Sequence, residues 1–146
     1  MAWTLYHKWL EAQADGGVAG TPIDFDGDTL KIALAASGYT PSDTLHDLFD
    51  DITNEVMGTG YTAGGETLAN KVVTESSGTV TFDADNASWL QNASGFANAR
   101  YAILYKEGAS AAISPLIAYA DLGGDKGNVG GDLTLQFDAT GIITWS

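Results

Sequence analysis

From Ile23 onward this chain is broken at short intervals by clusters of Gly, Asn, Asp and Ser, and that punctuation limits it to short strands joined by tight turns. The clusters are Ser76-Ser77-Gly78, Asp83-Ala84-Asp85-Asn86, Asn92-Ala93-Ser94-Gly95, Glu107-Gly108, Gly123-Gly124-Asp125 and Thr140-Gly141. Between them the chain predicts strands at Thr29–Ala36, Glu66–Glu75, Thr79–Asp83, Ala87–Gln91, Arg100–Tyr105, Leu116–Asp121, Leu133–Phe137 and Ile142–Trp145. No interval is long enough for the crossover helices that parallel strands require. The expected fold is therefore mostly β, an antiparallel β-sandwich of jelly-roll type. Alternation in Thr79-Val80-Thr81-Phe82 and Leu133-Thr134-Leu135-Gln136-Phe137 predicts sheets with one buried and one wet face. In Thr29–Ala36 the same reading puts Leu30, Ile32 and Leu34 on the inner face.

Two helices are expected to accompany the strands. Residues 2–14 carry a three-to-four spacing in Trp3, Tyr6, Leu10 and Gln13, widened by Leu5 and Trp9, and Asp15-Gly16-Gly17 supplies the stop. A second, short helix is predicted at Leu45–Asp50, with Asp43 or Thr44 as its N-cap. At 146 residues the chain is read as one domain, with the helix in residues 1–15 and the sandwich in 23–146.

Composition narrows function more than it defines it. Nineteen Asp and Glu against six Lys and Arg give a formal net charge of −13, which opposes binding to nucleic-acid phosphates or anionic membranes. Such a surface keeps free copies soluble and apart, or it docks onto a basic partner. No stretch approaches the ~20 apolar residues of a membrane span. The first residues lack the pattern of a secretory leader, so a cytoplasmic site of synthesis and assembly is expected. Cysteine is absent, which removes disulfides and thiolate metal sites.

Reactive constellations are not apparent. His7 and His46 lie outside any ligand spacing, no Ser is framed as a nucleophile elbow, and no phosphate-cradling glycine motif is present. Asp24-Phe25-Asp26-Gly27-Asp28 has a superficial likeness to a calcium loop, but Thr29 and Ala35 stand where that loop needs Gly and Glu. The segment is read instead as a strand, its carboxylates in solvent and Ile23, Phe25 and Leu30 inward. Asp47, Asp50, Asp51 and Glu55 form a second acidic group. Trp89 and Trp145 could make a sugar-stacking platform, the basis of an alternative reading as a carbohydrate-binding module; the competing reading places them in the core or at a subunit contact. No cofactor or metal is expected, and the chain is read as a non-enzyme.

Several stretches also carry a family resemblance. They are Met1-Ala2-Trp3-Thr4-Leu5-Tyr6, Leu30-Lys31-Ile32-Ala33-Leu34, Tyr39-Thr40-Pro41 with the Asp-rich segment after it, and Thr53-Asn54-Glu55-Val56-Met57-Gly58-Thr59-Gly60-Tyr61-Thr62-Ala63-Gly64-Gly65. On these residues the chain resembles a family of small structural proteins of tailed bacteriophages and prophages. The likeness extends more weakly through Thr79–Ala84, Ala99–Ala102 and Ser114–Ile117. It implies a virion component, foremost a head decoration or cement protein bound to the major capsid protein as a homodimer or homotrimer. A tail, baseplate or fibre subunit would fit the same residues. The resemblance brings no catalytic residues with it. The expected contact residues are Trp3, Tyr6, Trp9 and Leu10 on the N-terminal helix, and Asn54, Glu55, Tyr61 and Thr62 in the glycine-rich loop. For that loop two readings compete, closure over the sheet and contact with a lattice.

Overall fold

A computed structural model describes all residues, Met1–Ser146. Its strands are β1 (Thr4–Leu5), β2 (Leu30–Ala35), β3 (Glu66–Thr67), β4 (Val72–Ser76), β5 (Thr79–Asp83), β6 (Ala87–Trp89), β7 (Ala99–Lys106), β8 (Leu116–Lys126), β9 (Leu133–Leu135) and β10 (Ile143–Trp145), with one helix, α1 (His7–Ala14). Every strand pair is antiparallel. The strands divide into a five-stranded sheet in the order β1-β8-β7-β2-β3, a three-stranded sheet β10-β5-β4 and the ribbon β6-β9. The expected mostly-β antiparallel sandwich is present. A jelly roll pairs two four-stranded sheets, whereas the division here is five, three and two.

The central strands β2, β7 and β8 are covered on both faces along their middle or first residues, Ile32–Ala35, Ala102–Tyr105 and Leu116–Ala118. Ala33 and Ala35 are as fully buried as Leu30, Ile32 and Leu34, so the one-sided face predicted for Thr29–Ala36 is corrected. Continuous apolar sequence (Ile32–Ala35, Ala102–Tyr105, Leu116–Ala118) is what two covered faces require. The peripheral β4-β5 hairpin keeps its alternation. It turns at Ser77 and Gly78, both with positive φ, the turn whose twist matches a two-residue hairpin.

Four local expectations are corrected. The predicted helix 2–14 begins only at His7, because Thr4 and Leu5 pair with Tyr119 and Ala118 on the outer edge of β8, and the Tyr6 N–H continues to the Ile117 carbonyl (3.0 Å). Covering a sheet edge satisfies backbone groups that one more helical turn would leave unpaired. Its end falls where predicted, with the Gly17 N–H on the Ala12 carbonyl at 2.7 Å.

The helix expected at Leu45–Asp50 is replaced by a single 3-10 turn, Phe49–Asp51. Here the Asp47 carbonyl accepts from the Leu116 N–H and the Phe49 N–H donates to Ser114, so backbone groups that a helix would use are already committed. The strand expected over Glu66–Glu75 splits at Asn70 (φ 51°), and the chain crosses from the five-stranded to the three-stranded sheet there. Asp24–Asp28 forms a turn rather than a strand. The Asp28 N–H donates to the Asp24 carbonyl, and the Asp28 carboxylate accepts from the Asp24 N–H (both 2.8 Å).

The N-terminal segment joins the sheets. Trp9 meets Phe25 and Trp145 edge-on (5.7 and 6.3 Å), and Phe25 packs on Phe82 at 4.8 Å, tying α1 to β5 and β10. One turn earlier, Tyr6 packs on Tyr119 of β8 (5.2 Å).

Candidate functional site

The loop from Asn54 to Gly65 begins as an added edge on β2: the Ala36 N–H donates to the Asn54 carbonyl and the Val56 N–H to the Leu34 carbonyl, both at 2.9 Å. This places Tyr61 beneath the loop. Its hydroxyl donates to Glu55 Oε1 (2.7 Å) and accepts from the Leu34 N–H (3.0 Å), while its ring stacks at 27° on Trp89 and meets Phe96 edge-on. Glu55 Oε1 also accepts the Gly64 N–H, and the Tyr105 hydroxyl donates to the Gly64 carbonyl (2.9 Å). Burial pushes the Tyr61 phenol well above its ordinary range; the Leu34 N–H opposes that and the Glu55 carboxylate adds to it. Gly65 has φ +80°, and a Cβ there would strike the Ile32 backbone, so the loop can close only on glycine.

A second fastening was not expected. Asn128, fully buried, accepts the Phe96 N–H on Oδ1 (2.9 Å) and donates from Nδ2 to the carbonyls of Leu90 (2.8 Å) and Thr59 (3.2 Å). Its own N–H reaches the Phe96 carbonyl, and its carbonyl accepts from Asn92. One amide thus ties together the loops around 59, 90–96 and 128. Gly95 packs against that amide so closely that a Cβ would occupy the space of Oδ1. In sequence Asn128 is one more residue of a glycine-rich turn. The only available signal was its place between Gly127 and Gly130-Gly131, which is equally typical of an exposed loop.

Close in sequence to these bonded groups, three apolar side chains face water: Met57 (86% exposed), Leu90 (73%) and Val129 (40%). Each lies at or within two residues of a group bonded to Asn128 or, for Val129, next to it in sequence. The segments 54–65, 86–97 and 127–134 contain the carboxylates Glu55 and Asp132 and no Lys or Arg.

The eight expected contact residues fall into two groups that the fold keeps apart. Tyr6 and Trp9 are buried, Trp3 is half-buried beside Phe137, and Leu10 is exposed. Asn54 and Thr62 are exposed, while Glu55 and Tyr61 are half-buried. The first group lies at the β1 edge of the five-stranded sheet and the second at the β3 edge. Four interstrand steps make this separation about 19 Å. Beside the first group, the Tyr6 and Tyr39 hydroxyls are 2.9 Å apart, and Tyr39 reaches His46 Nδ1 at 2.8 Å. The Ser42 N–H also donates to that nitrogen, so Nδ1 is an acceptor and the Tyr39 hydroxyl its second donor. Burial pushes the Tyr39 phenol up to about 12.

Other candidate chemistry looks different once folded. Trp89 is buried, and half-buried Trp145 packs on Trp9 and Phe25, so the two do not form an open sugar platform. A hollow of about 310 Å³ lies between Phe49, Glu55, Gly64, Tyr105, Ser110 and Ser114. Within it the Ser114 hydroxyl donates to the Ser110 carbonyl and accepts from the Gly108 N–H, a structural engagement. No three carboxylate or imidazole groups converge in a metal-binding arrangement. No helix is long and apolar enough to cross a membrane. No family model matches the chain, and no curated protein or solved structure matches it.

Proposed function

We propose that this chain is a non-enzymatic, contact-making subunit of a tailed-phage virion, foremost a head decoration protein seated on the major capsid protein. One observation carries the contact-making part: the stretch with the most specific family resemblance, Asn54–Gly65, is fastened on its inner side through Glu55, Tyr61 and Gly65. On its outer side it carries Met57, the most exposed large apolar side chain of the molecule. A rigid loop that presents an apolar group loses little conformational entropy when it docks. The virion assignment itself rests on the resemblance. The acidic surface supports it further, because like-charged subunits stay apart until a complementary lattice is available.

Cryo-microscopy of the source particle tests this reading. Density for a sandwich of this outline on the outside of the head, at two-fold or three-fold positions, is the expected result. The same density in the tail or baseplate would transfer the subunit there, and its absence from the particle would end the virion reading. Light scattering of the free chain would show whether the expected homodimer or homotrimer exists before assembly.

A further inference from the structure

We infer that the outer edge of β4 is a docking surface for a second copy of this chain, the two β4 strands pairing antiparallel about a two-fold axis at Val73. The inference names one contact within the contact-making reading and rests on it. β4 has five residues and a neighbour on one side only; the other edge strands have two or three. The Phe82 carbonyl accepts from the Ile142 N–H (2.8 Å), so it points to β10 and away from β4. In the β4-β5 ladder Val73–Phe82 is therefore a non-hydrogen-bonded pair, and Val73 turns its N–H and C=O to the open edge. By the same alternation Glu75 does so too, as does the Lys71 carbonyl. No other part of the chain bonds to these groups. Neither Pro, Gly nor a bulge blunts the edge, which leaves it open to another strand.

Charge selects the occupant and its register. Lys71, Val73 and Glu75 alternate along the chain and so share one face of the strand. In a two-fold pair centred on Val73, Lys71 of each copy stands opposite Glu75 of the other, and Val73 meets its own equivalent. Centring on Lys71 or Glu75 would oppose like charges. Centring on Val72 or Thr74 would set Lys71 or Glu75 against Val73. Lys71 is free for this role: it makes no ion pair, and the carboxylate its charge reaches, Asp28, is already held by Lys106. Glu75 is exposed; its Oε1 accepts the Gly78 N–H, and its Oε2 has no partner. The net charge of −13 repels two copies at a distance, and the strand is short. The contact is accordingly weak, with a Kd on the order of 0.1–1 mM.

The test is NMR of the isotope-labelled full chain, diluted from about 2 to 0.05 mM around that Kd. Expected are concentration-dependent amide shifts largest at Val73 and Glu75 and smaller at Val72 and Thr74, whose N–H groups face β5. Charge reversal then tests the register. Lys71→Glu makes the chain more acidic and Glu75→Lys makes it less so, yet each should weaken self-association at least about tenfold, because each sets like charges opposite. Mixed together, the two variants should pair with each other, and both swaps on one chain should restore the dimer. Tm measured on dilute samples separates lost pairing from lost fold, and the wild-type shift pattern needs neither variant. A chain monomeric throughout, or shifts centred away from β4, would overturn the inference. So would association that follows net charge alone, weaker in Lys71→Glu and stronger in Glu75→Lys. A dimer formed elsewhere would remove this edge and leave the contact-making reading standing. A β4 dimer from a chain absent from the particle would do the reverse for the virion reading.

Discussion

At the scale of single residues, the molecule depends on a few polar side chains placed where backbone groups would otherwise be buried without partners. Asn128 is the clearest. Replacing it with Ala removes the acceptor for the Phe96 N–H and the donor for two carbonyls, and an orphaned buried group costs about 1–3 kcal/mol. Asn128→Ala should therefore lose about 2–4 kcal/mol in urea unfolding. Asn128→Asp should lose more at neutral pH, because a carboxylate would face the Leu90 and Thr59 carbonyls, and should recover part of that loss in acid, where the protonated group can donate. Tyr61 supports a sharper comparison. Tyr61→Phe keeps the stack on Trp89 but strands the Leu34 N–H, for a loss of about 1–2 kcal/mol. Tyr61→Ala also vacates a half-buried aromatic site and should cost about 3–5 kcal/mol. A melting temperature that barely moved in Tyr61→Ala would show that the ring serves an outer contact instead.

At the scale of elements, sequence reading succeeded where local pattern and final environment agree. The β4-β5 hairpin was legible because Ser77-Gly78 and the Thr79–Phe82 alternation specify turn and register together. It missed where a distant partner decides. Thr4 and Leu5 suit a helix until β8 offers an unpaired edge, and Leu45–Asp50 loses its helix because Asp47 pairs with Leu116 and Phe49 with Ser114. The candidate site was half legible: glycines and Tyr61 announced an ordered loop, but nothing local marks Leu90 or Asn128 as its neighbours. The N-terminal element also tests how the sheets are joined. Trp9 binds α1 to Phe25 and Trp145, so Trp9→Ala should cost about 3–5 kcal/mol. Hydrogen exchange should then accelerate first in α1, β1 and β10, with β2 and β7 protected longest, since those central strands are paired on both sides.

At the scale of the whole molecule, charge sets the response to pH and salt, and the two carboxylates with opposite shifts separate its components. Burial would raise Asp28, but the Lys106 ammonium and the Asp24 N–H outweigh it and hold that carboxyl below the usual range. Its contribution is therefore complete above the unfolded carboxyl value of about 3.9 and is lost as pH falls through the lower folded value. Asp47 is shifted the other way, by burial and then by the charges of Asp51 and Asp50, so its ionisation opposes folding at neutral pH. Asp28→Asn should lower stability at pH 7 by up to about 1 kcal/mol, and Asp47→Asn should raise it by a few tenths, allowing for solvent screening. Both differences should vanish in strong acid, where the wild-type groups are also neutral. Salt then isolates the net charge. With −13 on the chain and only four Lys or Arg pairs to be screened, repulsion dominates. Raising ionic strength from about 0.02 to 0.3 M shortens the screening length severalfold and should raise Tm by a few degrees in calorimetry. A fall in Tm with salt would instead show that the internal ion pairs, not the net charge, govern the fold.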